Sequence, residues 1–342
     1  FNENAARSPD TLTMLDPMPR LTLVPGLGLF GHGRSVKEAK IAADIGEIWI
    51  ETVADAEAIG AFRPVERPDL FDLEYWSLEQ AKLASIKTLP FSGQVVIVTG
   101  GAGAIGAATA KAFASRGAHV AVADLDETKA AAVAKSAGNA AIGIGCDVTD
   151  PASVRALFDR TVAAFGGMDI VVSNAGAAFE GPIATLDDAV LRRSFELNFF
   201  AHQSVAQNAV RIMKLQGTGG VLLFNASKQA VNPGASFGAY GLPKAATLFL
   251  SRQYALEHGK DGIRVNAVNA DRIRSGLLSD AMIASRSSAR GLSEKDYMAG
   301  NLLGQEVRAE DVALAFVHQA LSERTTGGLD TVDGGNIAAA MR

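Results

Sequence analysis

From residue 91 onward, short apolar runs alternate with longer segments in which apolar residues recur at helical spacing. The apolar runs, rich in valine and isoleucine, predict seven strands at residues 94–99, 119–123, 141–146, 169–173, 220–225, 263–268 and 329–332. Strands that alternate with helices are typical of a parallel sheet with helices on both faces. The pattern therefore predicts one α/β domain built on a doubly wound, parallel, seven-stranded sheet.

The preceding residues follow another pattern, which predicts a small N-terminal α/β appendage. The apolar run Leu21–Val24 predicts a strand that runs into a glycine-rich loop. Ser35 and Glu38 have the spacing of a capping box, which opens a long helix. One face of that helix carries the apolar side chains of Ile41, Ile45, Ile48, Trp49, Val53 and Ala56.

A proline-bearing connector, residues 61–70, leads to a second predicted amphipathic helix, FDLEYWSLEQAKL, which Pro90 stops. The appendage is too small to bury its own apolar faces, so we expect it to pack on something else. We place the domain boundary after it. Residues 1–88 then form the N-terminal segment with its linker helix, and residues 89–342 form the α/β domain.

Composition narrows the function classes. The 342 residues carry a formal net charge of −5 with mixed signs and no basic stripe, so we expect no nucleic-acid partner. No run of about 18 apolar residues occurs, so we expect no membrane partner. The single cysteine, Cys146, excludes an internal disulfide and a cysteine-rich metal site, and it fits a reducing, cytoplasmic compartment. It lies in an apolar run that is typical of a core. The opening FNENAARSPD, without Met or a signal pattern, suggests a piece of a longer polypeptide.

A glycine-rich turn, TGGAGAIG, links the first predicted strand of the domain to a helix. Amides converge where a helix begins after a buried strand, and the helix dipole favours negative charge, so this turn is suited to a pyrophosphate. Gly100 permits the tight turn, and Gly106 lets the helix pack close to the sheet. Ala104 stands at the middle position, where alanine is small enough to be tolerated. A glycine turn in another kind of α/β protein is the alternative interpretation.

Polar or small residues follow the next three strands. The second strand ends at Asp124, whose carboxylate can accept hydrogen bonds from ribose hydroxyls and repels a 2′-phosphate, so we expect NAD as the cofactor. Capping of the next helix is the alternative role for Asp124, although Asp126 could fill it. Asp147 and Val148 end the third strand, and residues 173–176, SNAG, end the fourth. Ligands bind at this edge of a parallel sheet.

Tyr240 and Lys244, in AYGLPKAA, are four residues apart, so a helix places them on one face. A tyrosine with a pKa near 10 is a poor base at neutral pH. An ammonium about 4 Å away contributes on the order of 4 kcal/mol at an effective dielectric of 20, or roughly three pKa units. We therefore expect Lys244 to lower the pKa of Tyr240 and make it a usable proton acceptor. The same spacing is also common on ordinary amphipathic helices.

Two further polar residues accompany this pair. Ser227 lies at the end of the fifth strand, and its hydroxyl could hold the substrate oxygen. Asn198 lies on the long helix after the fourth strand and could anchor a water that carries protons from Lys244 to bulk solvent. A satisfied buried amide is the alternative interpretation of Asn198.

Together these motifs resemble the short-chain dehydrogenase/reductase family over about residues 91–337, in order and in spacing. The resemblance rests on TGGAGAIG, Asp124, CDV, SNAG, Asn198, Ser227, YGLPK and the late GGLDTVDGG. It implies a Rossmann-type fold, hydride transfer, a homo-oligomer (dimer or tetramer), and a catalytic tetrad of Asn198, Ser227, Tyr240 and Lys244. The cofactor contacts that it implies are Gly100, Gly103, Ala104, Ile105, Gly106, Asp124, Leu125, Asp147, Val148, Asn174, Ala175, Gly176, Tyr240 and Lys244, with Lys244 on the nicotinamide ribose.

The N-terminal segment carries a second resemblance. LVPGLGLFGHGRS and DLFDLEYWSLEQAKL look like the junction in bifunctional sugar-phosphate aldolase/short-chain dehydrogenases of the class II, rhamnulose-1-phosphate type. In those proteins the end of the aldolase domain precedes the dehydrogenase, and the metal-binding histidines lie upstream of the junction. His32 alone cannot make a metal site, so we expect neither a metal site nor aldolase activity.

The chain departs from the family pattern after the sixth strand. Ala270 and Asp271 stand where most members carry Pro-Gly, at positions that border the nicotinamide. Arg272 and Arg274 follow, and each could pair with a substrate anion or lie in solvent. Residues 274–303 occupy the place where the family has its substrate lid.

These observations support one leading hypothesis and two alternatives. The leading hypothesis is an NAD-dependent dehydrogenase that takes a hydride from a small polar alcohol or hydrated aldehyde, and the bifunctional resemblance suggests lactaldehyde. The first alternative is a polyol or sugar-alcohol dehydrogenase. The second is a non-catalytic dinucleotide-binding scaffold for an aldolase, against which the intact tetrad argues.

Overall fold

The computed structural model describes residues 1–8, 11–85, 89–138 and 141–336. The chain forms two compact units, Phe1–Gly93 and Gln94–Arg342. They correspond to the expected appendage and the expected α/β domain. The assignment of residues 1–88 and 89–342 as separate domains stays a prediction.

The first unit is a two-stranded hairpin followed by helices. Its elements are β1 (Leu21–Val24), β2 (Gly28–Gly31), α1 (Val36–Ile59), α2 (Arg67–Glu74) and α3 (Ser77–Ser85). The strands are antiparallel, with Leu21 opposite Gly31. A Cβ on Gly31 would lie 2.2 Å from the carbonyl oxygen of Ala39, so only glycine lets α1 pack this closely on the hairpin.

The sequence-based description of this unit needs three corrections. The glycine-rich loop after β1 contains the second strand of the hairpin. Ser35 caps α1 by accepting from the Glu38 amide at 3.1 Å, but the Glu38 carboxylate accepts from the Arg34 amide and not from that of Ser35, so the capping box is only half formed. The second helix is two helices, α2 and α3, and the stop at Pro90 cannot be checked because residues 86–88 lie outside the described ranges.

Tertiary contacts account for the break between α2 and α3. The Tyr75 ring stacks on Phe71 at 4.8 Å between centroids, and the Tyr75 hydroxyl accepts a hydrogen bond from the Leu15 amide at 3.2 Å. These contacts fix Tyr75 outside helical geometry, with φ −116° and ψ 19°. The apolar face predicted for α1 remains largely exposed, with Ile48 at 63%. The expectation that this face packs on another surface stays a prediction.

The second unit contains all seven predicted strands, now β3 to β9, in one parallel sheet. The strands are β3 (Val95–Thr99), β4 (His119–Asp124), β5 (Ile142–Gly145), β6 (Ile170–Ser173), β7 (Gly220–Asn225), β8 (Ile263–Ala270) and β9 (Leu329–Val332). The spatial order is β5-β4-β3-β6-β7-β8-β9, with every neighbouring pair parallel. The α/β prediction is therefore confirmed.

Helices fill the intervals between these strands. They are α4 (Ala104–Ala114), α5 (Glu127–Ala137), α6 (Pro151–Phe165), α7 (Asp188–Phe195), α8 (Ala201–Gln216), α9 (Gly238–His258), α10 (Asp280–Ser288), α11 (Glu294–Met298) and α12 (Ala309–Leu321). One group, α4 with α5 and α12, and another, α6 with α8 and α9, pack against the sheet strands. No helix in the described ranges combines the length and apolar character needed to cross a membrane.

The central strands are buried because both faces of the sheet are covered by helices. All five residues of β3 are buried, as are the four of β6. Cys146 lies in the core, as predicted, and burial raises the pKa of its thiol. The strand order reverses between β3 and β6, and this is the point where open α/β sheets bind ligands at the carboxyl ends of their strands.

Candidate active site

The glycine turn after β3 is packed so tightly that it tolerates no side chains at two positions. Gly100 has a φ of +61°, and a Cβ there would lie 2.8 Å from the Ala175 Cα. A Cβ on Gly106 would lie 2.1 Å from the Gly100 carbonyl oxygen. The turn therefore brings the start of α4, with its unpaired amides, directly above the end of β3, where an anion is favoured.

The end of β6 holds this turn in place. The Asn174 side chain donates to the carbonyl oxygens of Thr99 at 3.0 Å and Gly100 at 3.2 Å. The Thr99 hydroxyl accepts from the amides of Asn174 and Ala175. Asn225, at the end of β7, donates to the Asn174 side-chain oxygen at 2.8 Å. The SNAG segment thus ties three neighbouring strand ends together.

Asp124 ends β4 at the side of the turn. One carboxylate oxygen accepts from the Ala102 amide at 3.0 Å, and the other accepts from the Asp126 amide at 3.2 Å. Asp126 caps α5, since its side chain accepts from the Lys129 amide at 3.0 Å. The helix-capping role is therefore taken by Asp126, and the Asp124 carboxylate lines the cavity beside the turn.

A cavity of about 950 Å³ lies along these strand ends. It brings together twelve of the residues predicted for the site: Gly100, Gly103, Ala104, Ile105, Gly106, Asp124, Asn174, Ala175, Gly176, Ser227, Tyr240 and Lys244. Its size suits a cofactor with a small substrate. The glycine cradle and the Asp124 carboxylate fit a dinucleotide, with the pyrophosphate at the start of α4 and the adenosine ribose near Asp124.

Four predicted site residues do not line this cavity: Leu125, Asp147, Val148 and Asn198. Leu125 is 76% exposed, and Val148 packs into the core. The Asp147 carboxylate accepts from the amide and hydroxyl of Thr149, which closes a local turn. The cofactor contacts predicted for these residues stay predictions.

The reactive side chains come from β7 and α9. Tyr240 and Lys244 lie on one face of α9 and are both buried, and Pro243 lies between them inside the continuous helix. The Ser227 hydroxyl, which accepts from the Gln229 amide at 3.3 Å, lines the same cavity as the Tyr240 phenol. The Lys244 ammonium lies 5.8 Å from the centroid of the Tyr240 ring and donates to the Asn225 carbonyl oxygen at 2.9 Å.

The net shift of the Tyr240 pKa is upward in this arrangement, opposite to the expectation, and the stabilisation of its phenolate by Lys244 stays a prediction. Burial raises the pKa of Tyr240 to about 12, and the nearby Ser227 hydroxyl only partly opposes it. Burial also lowers the pKa of Lys244 to about 7. The sequence-based estimate assumed an effective dielectric typical of a partly solvated pair and left out the burial of both groups.

Asn198 is a satisfied buried amide. Its side-chain oxygen accepts from the Ala177 amide at 3.2 Å, and its side-chain nitrogen donates to the Ala177 carbonyl at 2.9 Å and to the Ser194 hydroxyl at 3.1 Å. Its own carbonyl accepts from the Thr247 hydroxyl at 2.7 Å within the π-helical turn Glu196–Phe200. A Cβ on Gly176 would lie 2.8 Å from the Asn198 oxygen and 3.4 Å from the Lys244 nitrogen, so both groups border Gly176. The role of Asn198 in proton transfer stays a prediction.

Part of the cavity lining, here called the charged wall, carries charged side chains, and sequence reasoning found little of it. Lys228 pairs with Asp271 at 3.2 Å, and Arg286 pairs with Glu180 at 2.6 Å. The remaining charged lining residues of this wall are Arg272 and Arg290. Motif spacing gave no sign of this wall because its members come from four separate segments.

The two arginines singled out from sequence have different places. Arg272 lines the cavity, has a φ of +53°, and donates to the Tyr297 carbonyl at 2.8 Å. Its guanidinium lies 5.0 Å from the centroid of the Tyr297 ring. Arg274 instead pairs with Asp280 at 2.6 Å and Glu306 at 2.7 Å, and it does not line the cavity. Arg274 therefore stabilises the loop before α10.

Sequence reasoning also missed His202, a fully buried residue on α8 that contacts Lys244. Its position four residues after Asn198, at the start of the same predicted helix, was the available signal. Within the described ranges, no group of three or more histidine, cysteine, aspartate or glutamate side chains could hold a metal ion.

Comparison with known proteins places this arrangement in a family. Residues 94–282 match the family model described as short chain dehydrogenase. The chain belongs to the short-chain dehydrogenase family. Residues 1–83, ahead of the short-chain dehydrogenase domain, match the model described as the second domain of class II aldolases. Both resemblances found in the sequence are confirmed.

Three known proteins illustrate what this short-chain dehydrogenase is similar to. The uncharacterized oxidoreductase YuxG of Bacillus subtilis is 34% identical over 96% of the chain, which spans 50% of YuxG. The cis-4-hydroxycyclohexanecarboxylate dehydrogenase of Sinomonas cyclohexanicum is 34% identical over 72% of the chain and 98% of that protein. The crystal structure of a 3-ketoacyl-(acyl-carrier-protein) reductase from Brucella melitensis complexed with NADH superposes with a TM-score of 0.65 at 26% identity, covering 71% of the chain and 98% of that structure. The similarity to YuxG, unlike the other two, extends through the aldolase-like segment.

Proposed function

We propose that this short-chain dehydrogenase oxidises a small polar alcohol or hydrated aldehyde with NAD. The observation that carries the proposal is the position of Tyr240, Ser227 and Lys244 in the same cavity as the glycine turn. The turn suits a dinucleotide, and the three side chains suit removal of a hydroxyl proton.

Each reactive residue has a distinct role in this proposal. The Ser227 hydroxyl binds the substrate oxygen and holds it beside Tyr240. Tyr240 accepts the hydroxyl proton as a phenolate, which the Lys244 ammonium stabilises. Lys244 also binds the nicotinamide ribose. A bound oxidised nicotinamide would supply the hydride acceptor, together with a positive charge that favours the phenolate before hydride transfer.

The pKa shifts explain why Tyr240 and Lys244 must act together. Burial disfavours the phenolate and the ammonium individually, as the pKa values of about 12 and about 7 indicate. A phenolate beside an ammonium carries no net charge, so each reduces the cost of the other. The pair therefore titrates as a unit: loss of Tyr240 removes the proton acceptor, and loss of Lys244 leaves a phenol that ionises only at higher pH.

The preference for NAD over NADP is part of the proposal. The Asp124 carboxylate is oriented by two backbone amides at the cavity wall, where it can accept hydrogen bonds from ribose hydroxyls. It repels a 2′-phosphate at the same position. Gly103, on the adjoining glycine turn, supplies no compensating positive charge.

The charged wall supports a polar substrate. The Lys228–Asp271 pair and the neighbouring arginines offer hydrogen-bond partners for hydroxyl groups, while Phe237, Leu277 and Met282 add apolar surface to the same cavity. The aldolase-like segment favours a short aldehyde such as lactaldehyde. Its hydrate, a gem-diol, yields the acid when one hydride leaves carbon and one proton goes to Tyr240. A polyol or sugar alcohol is the second candidate, because its hydroxyls match the same wall.

The test is a panel of substrates with NAD or NADP, followed by nicotinamide absorbance. Lactaldehyde, short polyols and sugar alcohols are compared with a bulky apolar alcohol of similar chemistry. The proposal expects NAD-dependent turnover on a polar compound and little on the apolar one. Turnover only on the apolar alcohol would overturn the substrate class, and NAD binding without turnover on any compound would favour a scaffold. Light scattering of the same preparation tests the proposed dimer or tetramer.

A further inference from the structure

His202 is a fully buried histidine in direct contact with Lys244. It lies on α8, is 1% exposed, and points one ring nitrogen toward each of two polar partners. Nδ1 lies 2.6 Å from the Ser173 hydroxyl oxygen, and Nε2 lies 3.3 Å from the Lys244 nitrogen. Both imidazole nitrogens are therefore hydrogen bonded in a site without access to solvent.

The partners determine which nitrogen carries the proton. An ammonium can only donate, so Nε2 of His202 must accept from protonated Lys244. Nδ1 then carries the proton and donates to the Ser173 hydroxyl. Ser173 ends β6 and is itself buried, so this hydroxyl fixes the ring orientation. Ser173, at the end of a sheet strand, therefore orients the His202 ring, and the His202 ring in turn orients Lys244.

We propose that His202 is a positioning residue for Lys244: its Nε2 holds the ammonium in the buried site where Lys244 serves the Tyr240 phenolate and the nicotinamide ribose. This inference rests on the proposed function, because Lys244 matters only if the reaction uses it. His202 acts through Lys244 and touches neither the substrate nor the cofactor.

The surroundings of the ammonium show why an acceptor is needed there. Its hydrogen-bond partners in the described structure are the Asn225 carbonyl on β7 and His202 on α8, and an ammonium has three protons to donate. The other groups near it are the Tyr240 phenol on the same helix, α9, and the Asn198 amide oxygen beside Gly176. None of these brings a negative charge before Tyr240 ionises. Removal of one of two good acceptors must favour the neutral amine.

His202 itself stays neutral in this position. Burial and the charge of Lys244 both hold the pKa of His202 well below its usual range. The Phe224 ring, 6.1 Å away between centroids, is an uncharged neighbour. His202 therefore remains an acceptor toward Lys244 through the physiological pH range.

Three variants separate positioning from simple packing. His202→Phe keeps a ring of similar size and removes the acceptor. His202→Gln places an amide oxygen near the Nε2 position and so restores an acceptor. Val205→Ala is the matched control, because Val205 is buried on the same helix and belongs to the hydrophobic core. Thermal unfolding checks that each variant folds.

The pH profile of kcat/KM for alcohol or aldehyde oxidation is the kinetic readout. In His202→Phe we expect the alkaline limb, where Lys244 loses its proton, to move down by about one pH unit and kcat/KM at neutral pH to fall about tenfold, the scale of a lost hydrogen bond to a charged group. His202→Gln should recover most of the lost kcat/KM and most of the shift of the alkaline limb. Val205→Ala should unfold at a lower temperature and keep the parent pH profile.

A spectroscopic readout on the unliganded protein is independent of turnover. In a 15N-histidine long-range spectrum near pH 6, one of the five histidines should show the Nδ1-protonated neutral form, and its signals should vanish in His202→Phe. An Nε2-protonated or charged His202 would overturn the proposal, as would a His202→Phe profile that matches Val205→Ala. If instead Tyr240→Phe keeps full turnover, the proposed function fails first, and the spectrum still reports whether His202 accepts from Lys244.

Discussion

Substitution of Gly106 by alanine tests the idea that the glycine turn is built for a dinucleotide. Gly106 lies in the first turn of α4, and its added Cβ would approach the Gly100 carbonyl oxygen to 2.1 Å and the Gly101 Cα to 2.8 Å. Both contacts are backbone atoms, so no side chain can rotate away. The start of α4 and the turn must separate by roughly 1 Å to reach ordinary contact distance.

The two energetic consequences of Gly106→Ala have opposite signs. Alanine in a helix is favoured over glycine by about 0.8–1 kcal/mol. Overpacking against a rigid backbone costs about 1–3 kcal/mol. We therefore expect a net loss of up to about 2 kcal/mol, or a few degrees in unfolding temperature for a domain of this size.

Cofactor binding should suffer more than stability. A shift of roughly 1 Å at the start of α4 misaligns amides that would donate to a pyrophosphate, and one lost hydrogen bond to a charged group is worth about tenfold or more in affinity. Calorimetric titration with NAD measures the affinity, and a thermal melt measures the stability.

The matched control is Gly259→Ala. Gly259 follows α9, has ordinary helical geometry with φ −57°, and would place its Cβ with no atom within 4 Å. It should bind NAD like the parent protein. Parent-like NAD affinity in Gly106→Ala would refute the reasoning, because the close packing of the turn would then have no bearing on the cofactor.

Three further predictions follow from the same site. Asp124→Ala should narrow an NAD preference of at least tenfold, measured as the ratio of NAD and NADP dissociation constants; equal or tighter NADP binding to the parent protein would contradict it. Lys244→Ala should lower cofactor affinity and turnover together and leave residual activity at higher pH, which steady-state kinetics across pH can check; unchanged NAD affinity would exclude the ribose contact. Folding lowers the pKa of Lys244 from 10.5 to about 7. Between these two pH values the unfolded chain binds more protons than the folded protein, so the parent gains stability as the pH rises from 7 to 10.5. The stability of Lys244→Met relative to the parent should therefore decline from pH 7 to about pH 10 in urea unfolding, and a constant difference would show that Lys244 titrates normally.

The sheet was predictable because its signal is local. Buried parallel strands such as β3 are continuous apolar runs, and the segments between them carry helical periodicity, so all seven strands could be located from the sequence. The break between α2 and α3 could not be located. No glycine or proline marks it, and it depends on the contacts of Tyr75 with Phe71 and Leu15.

The site was predictable where its residues come from motifs and not where distant segments meet. The positions of Tyr240, Lys244 and Ser227 in one cavity followed from helical spacing and strand ends. The pKa values of Tyr240 and Lys244 could not be predicted from the sequence. Burial dominates both values, and residue spacing carries no information about burial. The His202 contact was missed for a related reason, since an isolated histidine on a helix gives no sign of what its ring will face.

Turnover of Tyr240→Phe is the measurement that tests the central claim most directly. The change removes the phenol oxygen and leaves the glycine turn, Asp124 and Lys244 in place, so NAD affinity should stay within a few-fold. Oxidation of the substrate identified in the panel should slow by about a hundredfold or more, the scale of a lost acid-base group. A Tyr240→Phe protein that binds NAD normally and oxidises that substrate at nearly the parent rate would contradict the account, because another group would then have to accept the proton.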